Sequence, residues 1–121
     1  MNIYNIFAKY FTATMEIKFQ KTYLEDLYEG NTKPYKEYKS NKQLVTQYVK
    51  TINKLKSITR IEQLYQLKSL RYEKLTGNLK GLSSVAVNMQ YRIIFTEVVS
   101  TSDELSIDIL EIEELSKHYE T

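Results

Sequence analysis

Between Tyr72 and Phe95 the chain is punctuated in a way that suits short strands and tight turns and little else. Gly77 and Gly81, two of only three glycines in 121 residues, fall at its turns. Residues 71–76 read as a strand ending at Thr76-Gly77-Asn78. Ser84–Val87 and Tyr91–Val98 read as two more, joined by Asn88-Met89-Gln90. In that short hairpin loop Asn88 tolerates a positive φ. Thr101-Ser102-Asp103-Glu104 makes the next loop, after which Leu105, Ile107 and Ile109 alternate with Ser106 and Asp108. The phase changes after Ile109, because Leu110 and Ile112 fall on the other parity. That predicts a bulge there, or a strand buried on both faces.

Upstream, the pattern is mostly helical. Met15-Glu16-Ile17-Lys18-Phe19 alternates as a strand. Thr22-x-x-Glu25, Ser40-x-x-Gln43 and Thr59-x-x-Glu62 then repeat a capping-box signature, a hydroxyl followed three residues on by Glu or Gln. They predict helices over 22–30, with Gly30 at the C-cap, over 41–57, and over 60–67. Lys33-Pro34-Tyr35 connects the first two, since the residue before proline disfavours helix. The long helix puts Leu44, Val45, Tyr48, Val49, Ile52 and Leu55 on one stripe, with Lys42, Lys50, Lys54 and Lys56 facing away. A fourth match, Thr101-x-x-Glu104, precedes a strand pattern and is read as a coincidence. Helices first and an antiparallel meander second make an α+β domain over residues 15–121. Residues 1–14 carry Ile3, Ile6, Phe7, Tyr10 and Phe11 at helical spacing. They read either as an amphipathic helix that packs on the domain or a partner, or as an extension upstream of a domain starting at Met15.

Composition removes several chemistries. With no cysteine there is no disulfide, thiolate metal site or cysteine nucleophile. One histidine makes a histidine-based zinc site a poor reading. No apolar run approaches the roughly 18 residues that span a membrane, and no secretory leader is expected at the N-terminus. Glycine-rich phosphate loops, nucleophile elbows and paired-carboxylate signatures are absent. Glu111, Glu113 and Glu114 read as a solvated rim.

The net charge of +2 hides an asymmetry. Residues 33–92 hold 13 Lys+Arg against 3 acids, and residues 93–121 hold 8 acids against Lys117 alone. A basic middle suits a polyanion such as nucleic acid, or a set of solvated helix faces. Lys68, Arg71, Lys74 and Lys80 ring the first strand of the meander and its turn. There they can track an RNA backbone or serve solubility alone. Arg92 lies inside an apolar strand, where an unpaired guanidinium is costly. It reads as an ion pair with Asp108 or Glu111, or as a fork that takes phosphate bidentately. His118 is the only side chain with an ordinary pKa near neutrality. It reads as a tail residue, or as the proton carrier a metal-free ribonuclease needs beside a cation. Tyr119 can assist by orientation or proton transfer, or cap the strand.

These residues resemble a known family. Leu75-Thr76-Gly77, Lys80-Gly81, Ser84-Val85 and Tyr91-Arg92-Ile93 stand in the places of the motifs of the HigB branch of the RelE-like bacterial toxins, and the closing stretch from Ile112 to Tyr119 resembles that family's short end motif containing Tyr and His. The resemblance covers about residues 15–119 and is most specific over 72–95. It implies helices packed on a small curved antiparallel sheet. It also implies a cytoplasmic toxin that cuts messenger RNA on the ribosome without metal or other cofactor. Its cognate partner would be a helix-turn-helix, HigA-like antitoxin, with DNA reached only through that antitoxin and no membrane involved. Arg92 inherits a phosphate-binding role and His118 that of general base or acid, with Tyr119 beside it. Two departures stand out. Glu73 and Thr76 occupy positions where the family often has His and Lys, so those roles do not carry over and Lys74 or Lys80 would supply the charge. The terminal order is His-Tyr where the family has Tyr-His. The competing readings are a relative that inhibits a protein target such as DNA gyrase, and a degenerate RNA- or protein-binding module.

Overall fold

A computed structural model describes residues 15–102 and 105–117, without the side chains of 100–102 and 105–107. The expectations for residues 1–14, for Asp103 and Glu104, and for His118 and Tyr119 lie outside the described residues. The elements run β1 (Glu16–Phe19), α1 (Thr22–Tyr28), α2 (Lys36–Lys39), α3 (Lys42–Ser57), β2 (Glu73–Lys74), β3 (Ser83–Ala86), β4 (Tyr91–Ser102) and β5 (Leu105–Lys117). Single 3-10 turns occupy Ile61–Tyr65, Lys68–Leu70 and Gly77–Leu79. The sheet order is β1-β5-β4-β3-β2. The meander from β2 to β5 is antiparallel, and β1 joins its edge in parallel with β5.

The long helix forms where its apolar stripe predicts. Leu44, Tyr48, Ile52 and Leu55 are buried, together with Thr51, while Lys42, Lys50, Lys54 and Lys56 are exposed. Helix α1 crosses it through the buried Tyr48, whose hydroxyl donates to the Leu24 carbonyl at 2.7 Å. The sheet's inner face answers with Val85, Ile93, Phe95, Leu110 and Ile112, all fully buried. Each such side chain contributes about 1.5–3 kcal/mol through burial. Tyr23 ties α1 to β5 by accepting the Leu115 amide at 3.1 Å, and Met15 closes on the end of α3 through the Ile58 carbonyl at 3.0 Å.

Local chemistry shifts several expected boundaries. Thr22 opens α1 as its first helical residue, behind Lys21, with no side-chain cap bond. The Ser40 hydroxyl bonds back to the Lys36 and Glu37 carbonyls, ending a short α2 that the capping pattern did not anticipate. Asn41 caps α3 instead, accepting the Leu44 amide at 3.2 Å. The helix expected over 60–67 is a 3-10 turn. Gln63 Oε1 folds back onto the Thr59 and Arg60 amides and caps its N-terminus. The strand expected over 71–76 shrinks to two residues, because Arg71 sits in the left-handed region at φ 48° and breaks extension before it.

Asn88 turns the β3–β4 hairpin without a positive φ. Its Oδ1 accepts the amides of Gln90 and Tyr91, both at 2.8 Å, and its Nδ2 donates to Gln47 on α3. The phase change in β5 is resolved by an irregularity at Glu113, later than the pattern suggests. Ile94 pairs with Glu114 and Phe95 with Ile112, leaving Glu113 as the extra residue. That insertion brings Leu115 back to the inner side with Leu110 and Ile112.

Candidate functional site

The hydrophobic core packs on one face of the sheet, and the strand residues that alternate with it take the opposite face. Residues of one strand alternate between faces. Tyr91, Ile93 and Phe95 of β4 point into the core, and Arg92 therefore lies on the opposite face, together with the buried Ile94. Ser84 on β3 and Glu73 on β2 share that face, since Glu73 pairs with Ser84 across the β2–β3 ladder.

The Arg92 side chain is only 11% exposed, and its guanidinium is held at several points. Nε donates to Ser84 Oγ at 2.8 Å. Nη2 donates to the Arg71 carbonyl at 2.6 Å and, more weakly, to the Ser84 carbonyl at 3.4 Å. The left-handed turn at Arg71 is what aims that carbonyl at the guanidinium. Nη1 takes part in none of these bonds. Burial pulls the Arg92 pKa below its ordinary value, the nearby Glu73 carboxylate opposes this, and Arg71 adds to it. An arginine titrates so far above neutrality that the group stays cationic.

The carboxylate beside Arg92 is Glu73, with Oε1 3.8 Å from Nε and its side chain 55% exposed. The expectation that Asp108 or Glu111 would pair with Arg92 is not met. Asp108 accepts the Ile61 amide at 3.0 Å, and Glu111 accepts from Gln20 Nε2 at 3.0 Å. Both lie on β5 opposite the far half of β4: Asp108 pairs with Val99 and Glu111 with Thr96. Two residues that sequence reasoning passed over therefore complete the surroundings of Arg92. Ser84 was visible only as part of a motif. Glu73 was visible only as a departure from one. Neither signal indicates a contact across strands.

Among the expected RNA-binding residues, Arg71 is brought to Arg92, and its Nη1 reaches Met89 Sδ at 3.9 Å. Lys68 and Lys80 are exposed on neighbouring 3-10 turns. Gly77 and Gly81 let the loop between them curl tightly, at φ 64° and 99°. Lys74 pairs with Ser83 and so faces away from Arg92; it lines a pocket with Tyr65, Tyr72 and Glu97 on the helix side. Lys117 ends β5 opposite Tyr91, and Ser116 pairs with Arg92. His118 and Tyr119 follow directly in sequence, outside the described residues. Among the described residues no His, Asp and Glu group is arranged to hold a metal ion, and no helix is long and apolar enough to cross a membrane.

Among the described residues, three helices and a curved, unclosed five-stranded sheet make a mixed α+β fold, as the resemblance to the RelE-like toxins implies. The chain belongs to the HigB-like family of that class: the family model for the RelE-like toxin HigB of type II toxin–antitoxin systems matches residues 17–109. No curated protein matches. Among solved structures, a YoeB/ParE toxin from Agrobacterium tumefaciens is 20% identical, covering 87% of this chain and 100% of that one, with a TM-score of 0.46. A YoeB dimer from Staphylococcus aureus is 23% identical over 87% of this chain and 98% of its own, with a TM-score of 0.44. A YoeB–YefM complex from the same organism is 21% identical with the same coverage and TM-score.

Proposed function

We propose that this toxin is a metal-independent endoribonuclease that cuts messenger RNA on the ribosome, in the cytoplasm, and is neutralised by a helix-turn-helix antitoxin. The observation that carries the reading is a clamped guanidinium beside an exposed carboxylate on the face of the sheet opposite the core. RNA self-cleavage needs three services. A base takes the proton from the 2′-hydroxyl, an acid protonates the departing 5′-oxygen, and a cation offsets charge on the pentavalent phosphorus. In this reading Glu73 is the base, Arg92 the cation and His118 the acid, with Tyr119 orienting the scissile nucleotide. The 2′-oxygen attacks phosphorus as the P–O5′ bond breaks. The products are a 2′,3′-cyclic phosphate and a free 5′-hydroxyl.

The hold on Arg92 narrows how it would meet the phosphate. Ser84 and Arg71 already take Nε and Nη2, so the guanidinium presents Nη1, and a symmetric two-pronged grip is not available without breaking those bonds. Groups fixed before substrate arrives need no reorganisation in the transition state, which is where such electrostatic aid is strongest. Arg71, Lys68 and Lys80 would track the backbone on either side, and Lys74 would act from the edge of β2.

Induced expression in bacteria tests this. The wild type is expected to halt growth and translation, and Arg92→Ala, Glu73→Gln and His118→Ala to relieve the arrest while accumulating as folded protein. DNA-damage signalling with intact messenger RNA would instead identify a protein target. Full toxicity of all three variants would refute the site.

A further inference from the structure

A second concave site lies on the other side of the sheet. A pocket of about 240 Å³ opens between the Ile61–Tyr65 turn, β2 and the outer half of β4. Its wall is aromatic. Tyr65, 63% exposed, meets Tyr72 edge-on with ring centroids 4.9 Å apart, and Tyr72 in turn lies nearly parallel to the buried Phe95. Its charge is acidic. Glu62, Glu97 and Asp108 line it against a single cation, Lys74. Two of these carboxylates are fixed in place. The Tyr72 and Ser83 hydroxyls both donate to Glu97 Oε2, and the Ile61 amide donates to Asp108 Oδ2, so Glu97 Oε1 and Asp108 Oδ1 take none of these bonds.

A separate observation concerns the backbone beside it. Strand β3 covers β4 only as far as Phe95, which pairs with Ser83. From Thr96 onward, the described residues of β4 pair with β5 alone. Glu97 and Val99, on that one-sided stretch, both line the pocket, and Val99 is 58% exposed. An open strand edge invites another extended chain to add to the sheet.

From the acidic aromatic pocket and the open β4 edge together, we infer that this face docks an extended segment of a partner protein, with an arginine side chain of that segment seated in the pocket. A planar guanidinium suits both walls. It stacks on or against tyrosine rings and bonds carboxylates through a fixed fork of donors. Backbone pairing along β4 would supply affinity, and the arginine would set the register. The site lies behind the sheet from Arg92 and does not depend on the nuclease reading.

The test is a nuclear magnetic resonance titration of the full chain with an acetylated, amidated Thr-Val-Arg-Val-Thr peptide. Its expected result is saturable shifts at the amides of Tyr65, Glu97 and Val99. An alanine in place of the peptide's arginine, or Glu62→Lys or Tyr65→Ala in the protein, is expected to weaken binding at least about fivefold. Equal binding of the arginine and alanine peptides, shifts confined to the Arg92 face, or no saturation by about 10 mM would overturn the inference. So would an RNA oligonucleotide that shifts the pocket amides when the peptide does not.

Discussion

Arg92 is a charged residue in an apolar strand whose position is specified by neighbours rather than by its own charge. Ser84 Oγ and the Arg71 carbonyl both accept from it, and the second of these requires a non-glycine residue at a positive φ. A left-handed L-residue costs roughly 1–2 kcal/mol, so the turn is held against a local preference. Arg92→Lys separates charge from geometry. An ammonium keeps the charge but cannot bond Ser84 and the Arg71 carbonyl through one flat fork. RNA cleavage by this variant is expected to fall at least tenfold, about 1.4 kcal/mol of transition-state stabilisation, with unfolding still cooperative. Cleavage near the wild-type rate would mean that charge alone is used. Glu73 illustrates what the sequence hides at this scale. Its identity is plain, but its pairing with Ser84, and hence its place on the Arg92 face, is set by a two-residue ladder that no local pattern announces.

At the scale of elements, periodicity was the reliable guide. The stripe of α3 and the alternation of β1 follow from burying one face, so they could be read directly. Boundaries followed side-chain hydrogen bonds instead: Ser40 ends one helix, Asn41 starts the next, and Gln63 caps the start of the 3-10 segment at Ile61–Tyr65. A capping signature identifies residues able to bond a backbone amide without saying which amide is free. The bulge shows the same limit. The change of parity in β5 revealed that an extra residue was needed, and the pairing with β4 put it at Glu113. Tyr48, where α3 meets α1, makes a testable case of packing. Burial, reinforced by Tyr23, Tyr38 and Tyr28, raises its pKa above the ordinary value. The folded protein thus keeps a proton that the unfolded chain releases near pH 10. The associated stability is fully present below about pH 10 and is lost as pH rises beyond it. Tyr48→Phe removes the hydroxyl bonded to the Leu24 carbonyl and is expected to cost about 1 kcal/mol near pH 7. Thermal melts should show that deficit shrinking above about pH 10. A deficit constant through about pH 11 would show that Tyr48 ionises alike in both states.

For the whole molecule, the α+β class was legible because helical and strand patterns are segregated along the chain. The parallel addition of β1 beside β5 was not, since it joins residues from opposite ends of the sequence. The resulting sheet has two faces with different characters. One packs against the core, with an acidic aromatic pocket at its margin; the other brings Arg92, Ser84 and Glu73 together. The Arg92 face is the centre of the proposed function, and the chemistry of the cut ends tests it most directly. Messenger RNA from a translating lysate, treated with the wild type or with the Arg92→Ala or Glu73→Gln variant, would be mapped for cleavage and for end groups. The account predicts discrete cuts on translated message leaving 2′,3′-cyclic phosphate and 5′-hydroxyl ends, reduced at least about a hundredfold in either variant. Intact message with the wild type, or undiminished cutting by both variants, would contradict it.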